Sequence, residues 1–215
     1  MILERKVLDM RFYFVRHGTT INNQNHTFNG GGVDPILTDA GQREAYRLGK
    51  TLATVNFDVC FSSPLKRAQK TAELVLQANT RTIPQIKILP TLTEMDLGKW
   101  DGVAIDDLKK DSQIENYFYA PDHFNGHLIQ AETYQDVKKR AYKALQDICS
   151  QVAFNQNILV ASHGLLLTTL LNSLCDVPLH DIRKDGLVPT SSVTIFESSD
   201  GQDFHLKKWA IKPLK

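Results

Sequence analysis

The sequence is poor in the features that mark several large classes of protein. Its three cysteines are scattered and form no C-x-x-C pair, which argues against a disulfide framework and a zinc knuckle. Lysine and arginine total 25 against 24 aspartates and glutamates, so no excess charge favours nucleic acid or an acidic membrane. We therefore expect neither partner, and isolated thiols suit a reducing cytoplasm.

Long apolar runs are also missing. The longest candidate, at 165–171, is far shorter than the roughly 20 residues that a membrane-spanning helix needs. The first ten residues carry several charges and lack the apolar stretch of a signal peptide. With 215 residues, 42% of them hydrophobic, the chain is predicted to form a single globular domain over 1–215, with 1–9 as an N-terminal extension.

An alternation of strand-like and helix-like segments is what the sequence does contain. Short apolar runs predict strands over 11–15, 57–62, 86–89, 157–162, 192–197 and 204–211, with an extended piece over 93–102. Helical spacing of apolar residues predicts helices after Thr38, Pro64 and Thr133 and over 165–174. Loops are expected at 22–35, and short helices and loops over 104–130. This order predicts an α/β fold, a three-layer αβα sandwich around a mostly parallel central sheet.

Residues suited to binding phosphate follow three of the predicted strands. Arg16 and His17 come directly after the first strand, His163 follows another, and Arg67 lies in the first turn of the helix behind a third. Ligand crevices in such sheets lie beyond the carboxyl ends of the strands. We therefore expect these side chains to meet in one crevice.

The chemistry of this group favours phosphoryl transfer. A neutral imidazole such as that of His17 can attack phosphorus when a backbone carbonyl holds its other nitrogen. Arg16, Arg67 and His163 would donate hydrogen bonds to the phosphoryl oxygens. This arrangement requires no metal, and arginines are not metal ligands at neutral pH, which argues against a metallohydrolase. Each residue taken alone also fits a structural role, and it is the conjunction that favours a site.

The segments that carry these residues resemble the histidine phosphatase (phosphoglycerate-mutase-like) superfamily. The matching segments are 14–20 with Asn23, 34–38 with Gly41, 62–72, 92–102 and 162–164, in that order. The resemblance covers about 10–196, and the ordered set of five segments is much more specific than any one of them. The resemblance implies a phosphoglycerate-mutase-like fold, a small phosphomonoester as substrate, and no cofactor or metal.

The resemblance also implies a role for each matching residue. His17 would form a phosphohistidine, and Glu94 would protonate the leaving oxygen and then activate water. Asp96 is a nearby second choice for this acid. The other catalytic residues would be Arg16, Arg67 and His163. The implied substrate-binding residues are Arg16, Asn23, Asn29, Gly30, Arg67, His163 and Gly164.

Three departures from the family pattern leave the distal substrate contacts open. Thr19 stands where Glu or Gln is common, Asn22 replaces a frequent aromatic residue, and Thr27 occupies a place often held by Arg. The loss of an arginine at position 27 removes one partner for a second anionic group.

Two other functions remain open beside hydrolysis. Cofactor-dependent phosphoglycerate mutases resemble the chain, but they carry a longer, basic insertion, whereas 101–130 is short and holds only Lys109 and Lys110 as cations. A non-catalytic phosphate-binding protein is less favoured, because the nucleophile, the acid and the arginines are all present. The sequence therefore favours a phosphatase, with a phosphoglycerate mutase as the alternative.

Overall fold

The computed structural model describes residues 9–79 and 83–213, so that 1–8 of the predicted N-terminal extension lie outside the described residues. Its centre is a six-stranded sheet in the order β3-β2-β4-β1-β5-β6. The strands are β1 Met10–Arg16, β2 Val59–Ser62, β3 Ile86–Ile88, β4 Asn157–Ser162, β5 Val193–Ser198 and β6 His205–Ile211. β1 to β4 run parallel, and β5 is antiparallel to both β1 and β6. The predicted mostly parallel sheet is confirmed.

Helices connect and cover the strands. They are α1 Ile21–Gln24, α2 Asp39–Thr51, α3 Lys66–Gln77, α4 Ile114–Tyr119, α5 Tyr134–Cys149 and α6 Gly164–Ser173. Short 3-10 helices lie at Pro90–Leu92, Gly98–Trp100, Ile105–Leu108, Pro121–His123, Gly126–Ile129 and Leu179–Asp181. The longer helices begin where their caps predict, since the Thr38 and Thr133 hydroxyls each accept a hydrogen bond from a first-turn N–H. No helix within the described ranges is long and apolar enough to cross a bilayer.

The side chains of the central strands alternate between the two faces of the sheet, so that helices pack on both faces. In β1, Phe12 and Phe14 face a core formed with α5 and α6, whereas Tyr13 and Val15 face a second core formed with α2 and α3. Successive side chains of a strand point to opposite faces, so one buried strand serves both cores. The three-layer α/β architecture is therefore confirmed.

Two predicted segments take a different form. The piece at 93–102, expected to be extended, contains the 3-10 helix Gly98–Trp100 and pairs with no strand of the described sheet. Asp96 and Asp101 accept hydrogen bonds from the backbone N–H groups of Gly98 and Leu97, which satisfies locally the donors that a strand would use for pairing. The loop expected at 22–35 overlaps helix α1, because the Thr20 hydroxyl caps a single helical turn.

The carboxyl ends of the parallel strands lie at one edge of the sheet. The register aligns Arg16 of β1 with Ser162 of β4, and the next backbone N–H, that of His17, donates to the Ser162 carbonyl at 2.9 Å. Beside them, Ser63 N–H donates to the Ala161 carbonyl at 3.0 Å. The residues that follow these three strands are thus neighbours, as the sequence predicted.

Helix α2 is packed unusually close to the turn after His17. The backbone N–H and the hydroxyl of Thr38 both donate to the Thr19 carbonyl, at 2.9 and 3.2 Å. A Cβ on Gly41 would lie 2.3 Å from that carbonyl oxygen, and a Cβ on Gly18 would lie 2.6 Å from the Gly41 oxygen. The two glycines therefore allow the helix and the turn to touch backbone to backbone.

We predict that Gly41→Ala destabilises the protein by about 1–3 kcal/mol, because the added methyl group meets backbone that cannot move aside. In an ordinary helix interior the same change would stabilise by about 1 kcal/mol. Urea denaturation measures the difference. Arg43→Ala, at an exposed position of the same helix, is the control and should change stability by no more than about 0.5 kcal/mol. Unchanged or raised stability of Gly41→Ala would contradict this packing.

Candidate active site

His17 is held in one tautomer at the end of β1. Its Nδ1 lies 2.8 Å from the Gly18 carbonyl oxygen, which can only accept, so Nδ1 carries the proton and Nε2 keeps a lone pair. The side chain is buried. Burial lowers the pKa of this imidazole well below 6.5, and the charges of Arg16 and Arg67 act in the same direction. His17 is therefore neutral at neutral pH, as a nitrogen nucleophile must be.

Arg16, the residue before His17, belongs to the same site. One terminal guanidinium nitrogen donates to the Val188 carbonyl at 2.6 Å, while Nε is buried and has no partner among the described residues. A Cβ on Gly164 would lie 2.7 Å from Arg16 Cζ, so the glycine leaves the space that the guanidinium fills. Gly164, predicted to bind substrate, thus packs against the Arg16 guanidinium. The Nε–H of Arg16 remains available as a donor for a bound anion.

Arg67 begins α3 and is held by the loop at 29–34. Its guanidinium donates to the carbonyls of Val33, Gly30 and Asn29 and to the Asp34 carboxylate. The side chain is 0% exposed, and its Nε is buried without a partner among the described residues. Arg67 therefore fixes this loop, and any contact with a phosphoryl group remains a prediction.

Asp101 holds the same loop from its other side and was not singled out in the sequence. Its carboxylate accepts hydrogen bonds from the backbone N–H groups of Gly30 and Gly32, at 2.8 and 2.7 Å. Burial raises the pKa of this carboxyl, whereas these hydrogen bonds oppose the shift. Gly30, predicted to bind substrate, is thus fixed between Asp101 on its N–H and Arg67 on its carbonyl.

His163 lies beside His17 at the end of β4. The two ring centroids are 5.1 Å apart, and His163 Nε2 is 2.7 Å from the Ser63 hydroxyl. Its Nδ1 is buried and has no partner among the described residues. Burial lowers the pKa of His163 well below 6.5, with Arg67 and His17 acting in the same direction. The site thus contains two buried, neutral imidazoles.

Glu94 enters from the segment after Pro90–Leu92 and meets the first turn of α6. Its Oε1 accepts hydrogen bonds from the N–H groups of Met95 and Leu166, and its Oε2 accepts one from Leu165, each at 2.9 Å. Oε1 has both lone pairs engaged, so a proton on this carboxyl would reside on Oε2. The segment is fixed by Arg140, which donates to the carbonyls of Thr93 and Glu94.

A cavity of about 130 Å³ lies among these groups. Five of the predicted site residues line it: Arg16, His17, Asn23, Asn29 and Glu94. Four others surround these five without lining the cavity: Gly30, Arg67, His163 and Gly164. Asp96, the second choice for the acid, does not line the cavity and lies in a surface groove that Glu94 also borders.

The two asparagines differ in what they offer to the cavity. The Asn23 side-chain oxygen accepts hydrogen bonds from the backbone N–H and the hydroxyl of Thr20. Asn29 donates to the Thr20 hydroxyl at 3.0 Å, and its side-chain oxygen is buried without a partner among the described residues. Asn29 is therefore the one with a free acceptor.

Most of the remaining cavity wall was not predicted. It is formed by Thr27, Phe28, Met95, Leu97, Ile105, Tyr117, Phe118, Leu165, Arg183 and Leu187. The cation among them, Arg183, comes from the irregular segment between α6 and β5, where no periodic pattern or motif marks it. Among the described residues no cluster of three His, Cys, Asp or Glu side chains is placed to hold a metal ion.

The fold and the site define a class of α/β proteins with a buried histidine at the end of a strand, beside arginine donors. A sequence profile of the histidine phosphatase superfamily (branch 1) matches residues 12–212. The chain belongs to this superfamily. Its members' phosphohistidine chemistry makes it a phosphoryl-transfer enzyme.

Named relatives include both phosphatases and mutases. The Escherichia coli (strain K12) adenosylcobalamin/α-ribazole phosphatase is 34% identical over 170 residues, which are 79% of this chain and 81% of the relative. A 2,3-bisphosphoglycerate-dependent phosphoglycerate mutase from Bartonella henselae is 29% identical over 177 residues, 78% of this chain and 82% of the relative. The solved structure of Bacillus stearothermophilus YhfR has a TM-score of 0.84 and 32% identity, covering 92% of this chain and 95% of that one.

The buried imidazoles generate a prediction about pH. Their pKa values are lowered in the folded protein, so the unfolded chain binds more protons below pH 6.5 and stability falls as pH falls through this range. Nitrogen-15 NMR of the imidazoles should show His17 and His163 still neutral at a pH where both titrate in urea. Assignment uses His17→Asn and His163→Asn, each of which should also reduce the loss of stability in acid. A folded-state transition of His17 at 6.5 or above would contradict the prediction.

Proposed function

We propose that this enzyme is a phosphatase that hydrolyses a small phosphomonoester through a phosphohistidine on His17. The observation that carries the proposal is a buried, neutral imidazole whose Nδ1 is fixed by the Gly18 carbonyl, at a cavity lined also by Arg16 and Glu94. The Nε2 of such an imidazole has its lone pair available, and the adjacent Arg16 guanidinium has a donor without a partner among the described residues. A reducing cytoplasm is the compartment we propose, because the cysteines in the described residues are free thiols.

In the proposed reaction, Nε2 of His17 attacks phosphorus in line with the leaving alcohol oxygen. The N–P bond forms as the P–O bond breaks, and the electron pair of that bond goes to the alcohol, which takes a proton from Glu94. Arg16 stabilises the phosphoryl oxygens, with Arg67 and His163 as the further predicted donors. Glu94, now ionised, accepts a proton from water, which attacks the phosphohistidine and releases phosphate and free His17.

Most of the cavity lining supports hydrolysis over mutase activity, but one cation that the sequence did not predict favours the opposite. Lys109 and Lys110 of the short 101–130 segment are exposed and do not line the cavity, and Lys109 pairs with Asp106 at the surface. Thr27 lines the cavity and brings no charge. Arg183, however, adds a second cation from another part of the chain. A phosphoglycerate mutase assay, run beside phosphate release, tests the alternative.

The nucleophile is tested by trapping. Brief reaction with a labelled aryl phosphate in EDTA should give one acid-labile, base-stable phosphoryl group per chain, and peptide mapping should place it on His17. His17→Asn should abolish both label and turnover, whereas His180→Asn, at an exposed histidine, should change neither. Vanadate should inhibit. Label on a serine or aspartate, or a requirement for added divalent metal, would overturn the proposal.

The acid is tested by the leaving group. An alkyl alcohol needs a proton in the transition state, whereas p-nitrophenolate leaves with little help, so Glu94→Gln should cost about 100-fold or more on an alkyl phosphate and roughly tenfold or less on p-nitrophenyl phosphate. The ratio of the two effects cancels any general disturbance of the α6 contact. Asp96→Asn is the matched control and should leave both rates within a few-fold. Equal losses on both substrates would assign the acid to another residue.

A further inference from the structure

The side chains that line the cavity fall into two chemically different sets. The first contains the groups predicted to act on phosphorus, and the second, which we call the aromatic wall, contains mainly apolar and aromatic side chains. These are Phe28, Ile105, Tyr117, Phe118 and Leu187. The alcohol part of a substrate would therefore leave water for an apolar, aromatic surface, which suits a flat, weakly polar group.

Arg183 is the charged side chain that packs against this aromatic wall. Its guanidinium carbon lies 4.6 Å from the ring centre of Tyr117 and 4.8 Å from that of Phe118. One terminal nitrogen donates to the Tyr117 carbonyl and to the Tyr134 hydroxyl, each at 3.0 Å. Its Nε is buried and has no partner among the described residues. These contacts fix the guanidinium plane and leave donors of the fork unused.

No carboxylate forms a salt bridge with Arg183 in the described part of the chain, in contrast to Arg67 and Arg140. Arg67 pairs with Asp34, and Arg140 pairs with Glu132. A cation in apolar surroundings is costly unless an anion or strong acceptors compensate for lost hydration. Arg16 and Arg183, which border the same cavity, are therefore two cations without a carboxylate partner among the described residues, and one phosphoryl group would satisfy only the first.

The two side chains Phe118 and Arg183 also border the surface. They line an outer groove of about 510 Å³, together with Tyr119, His180 and Lys184. Since the same two side chains border both spaces, a group that extends from the phosphoryl position toward this groove would meet Arg183. The guanidinium is thus placed to meet the far side of a leaving group.

We infer that Arg183 binds a carboxylate on the alcohol part of the substrate, so that the enzyme prefers phosphomonoesters whose leaving group is flat, apolar and carboxylated. The inference rests on the proposed phosphatase function for its meaning in catalysis. Arg183 would determine specificity and would take no part in breaking the phosphorus–oxygen bond.

The test separates binding from hydrolysis. 4-Carboxybenzylphosphonate and the methyl ester of its carboxyl group both contain a phosphorus–carbon bond that the enzyme cannot cleave. The two ligands differ by the one charge of the carboxylate. Calorimetry should show that the wild type binds the carboxylate at least about tenfold more tightly. Arg183→Met should reduce this ratio to about one, and Arg183→Lys should leave an intermediate ratio. Lys184→Met removes the neighbouring exposed cation of the outer groove and should keep the wild-type ratio.

Hydrolysis of the corresponding phenyl phosphates then shows whether the preference reaches catalysis. Arg183→Met should lower kcat/KM for 4-carboxyphenyl phosphate about tenfold or more relative to its methyl ester. A merely structural Arg183 would weaken both ligands equally, and equal wild-type affinities would also overturn the inference. If the wild type shows the phosphonate preference but hydrolyses no phosphomonoester, the proposed function fails while the binding inference stands.

Discussion

The structure depends on keeping positive charge buried around a neutral imidazole. Burial lowers the pKa of His17, and the charges of Arg16 and Arg67 act in the same direction, which keeps the Nε2 lone pair free for the proposed attack on phosphorus. Carboxylates at close range would satisfy the arginines but would also cancel the attraction for phosphate. The fold instead supplies mostly backbone carbonyls. The Val188 carbonyl accepts from Arg16, and carbonyls along 29–34 accept from Arg67. Carbonyls replace hydration without removing net charge, so the cavity stays attractive to an anion.

The use of backbone carbonyls around Arg67 explains why the loop at 29–34 contains several glycines. Its carbonyls converge on Arg67, whereas the N–H groups of Gly30 and Gly32 donate to Asp101 and that of Gly31 donates to the Met95 carbonyl. Added Cβ atoms on Gly30 or Gly32 would lie 2.3 and 2.7 Å from the Asp101 carboxylate oxygens. The glycines are needed because a carboxylate and a guanidinium approach the same stretch of backbone from two sides.

The features that the sequence predicted depend on residues close together in the chain, whereas the features that it did not predict depend on contacts between distant segments. β1, β4 and the helices after Thr38 and Thr133 follow from periodicity and caps, and the topology alone brings His17 and His163 together. Asp101 and Arg183 act through contacts with distant, irregular segments, which leave no periodic trace. The extended reading of 93–102 was wrong for a related reason. Its aspartates satisfy backbone donors that a strand would have offered to a neighbour.

Glu94 shows how closely position and chemistry are tied in this fold. The first turn of α6 presents N–H groups that need acceptors, and the carboxylate accepts from both Leu165 and Leu166. That contact sets where the carboxyl lies, and it also leaves only Oε2 with an unused lone pair. In the proposed reaction, a proton delivered to the leaving oxygen would then come from one defined atom. The contact that positions the proposed acid therefore also determines which atom gives the proton in the first step and accepts one from water in the second.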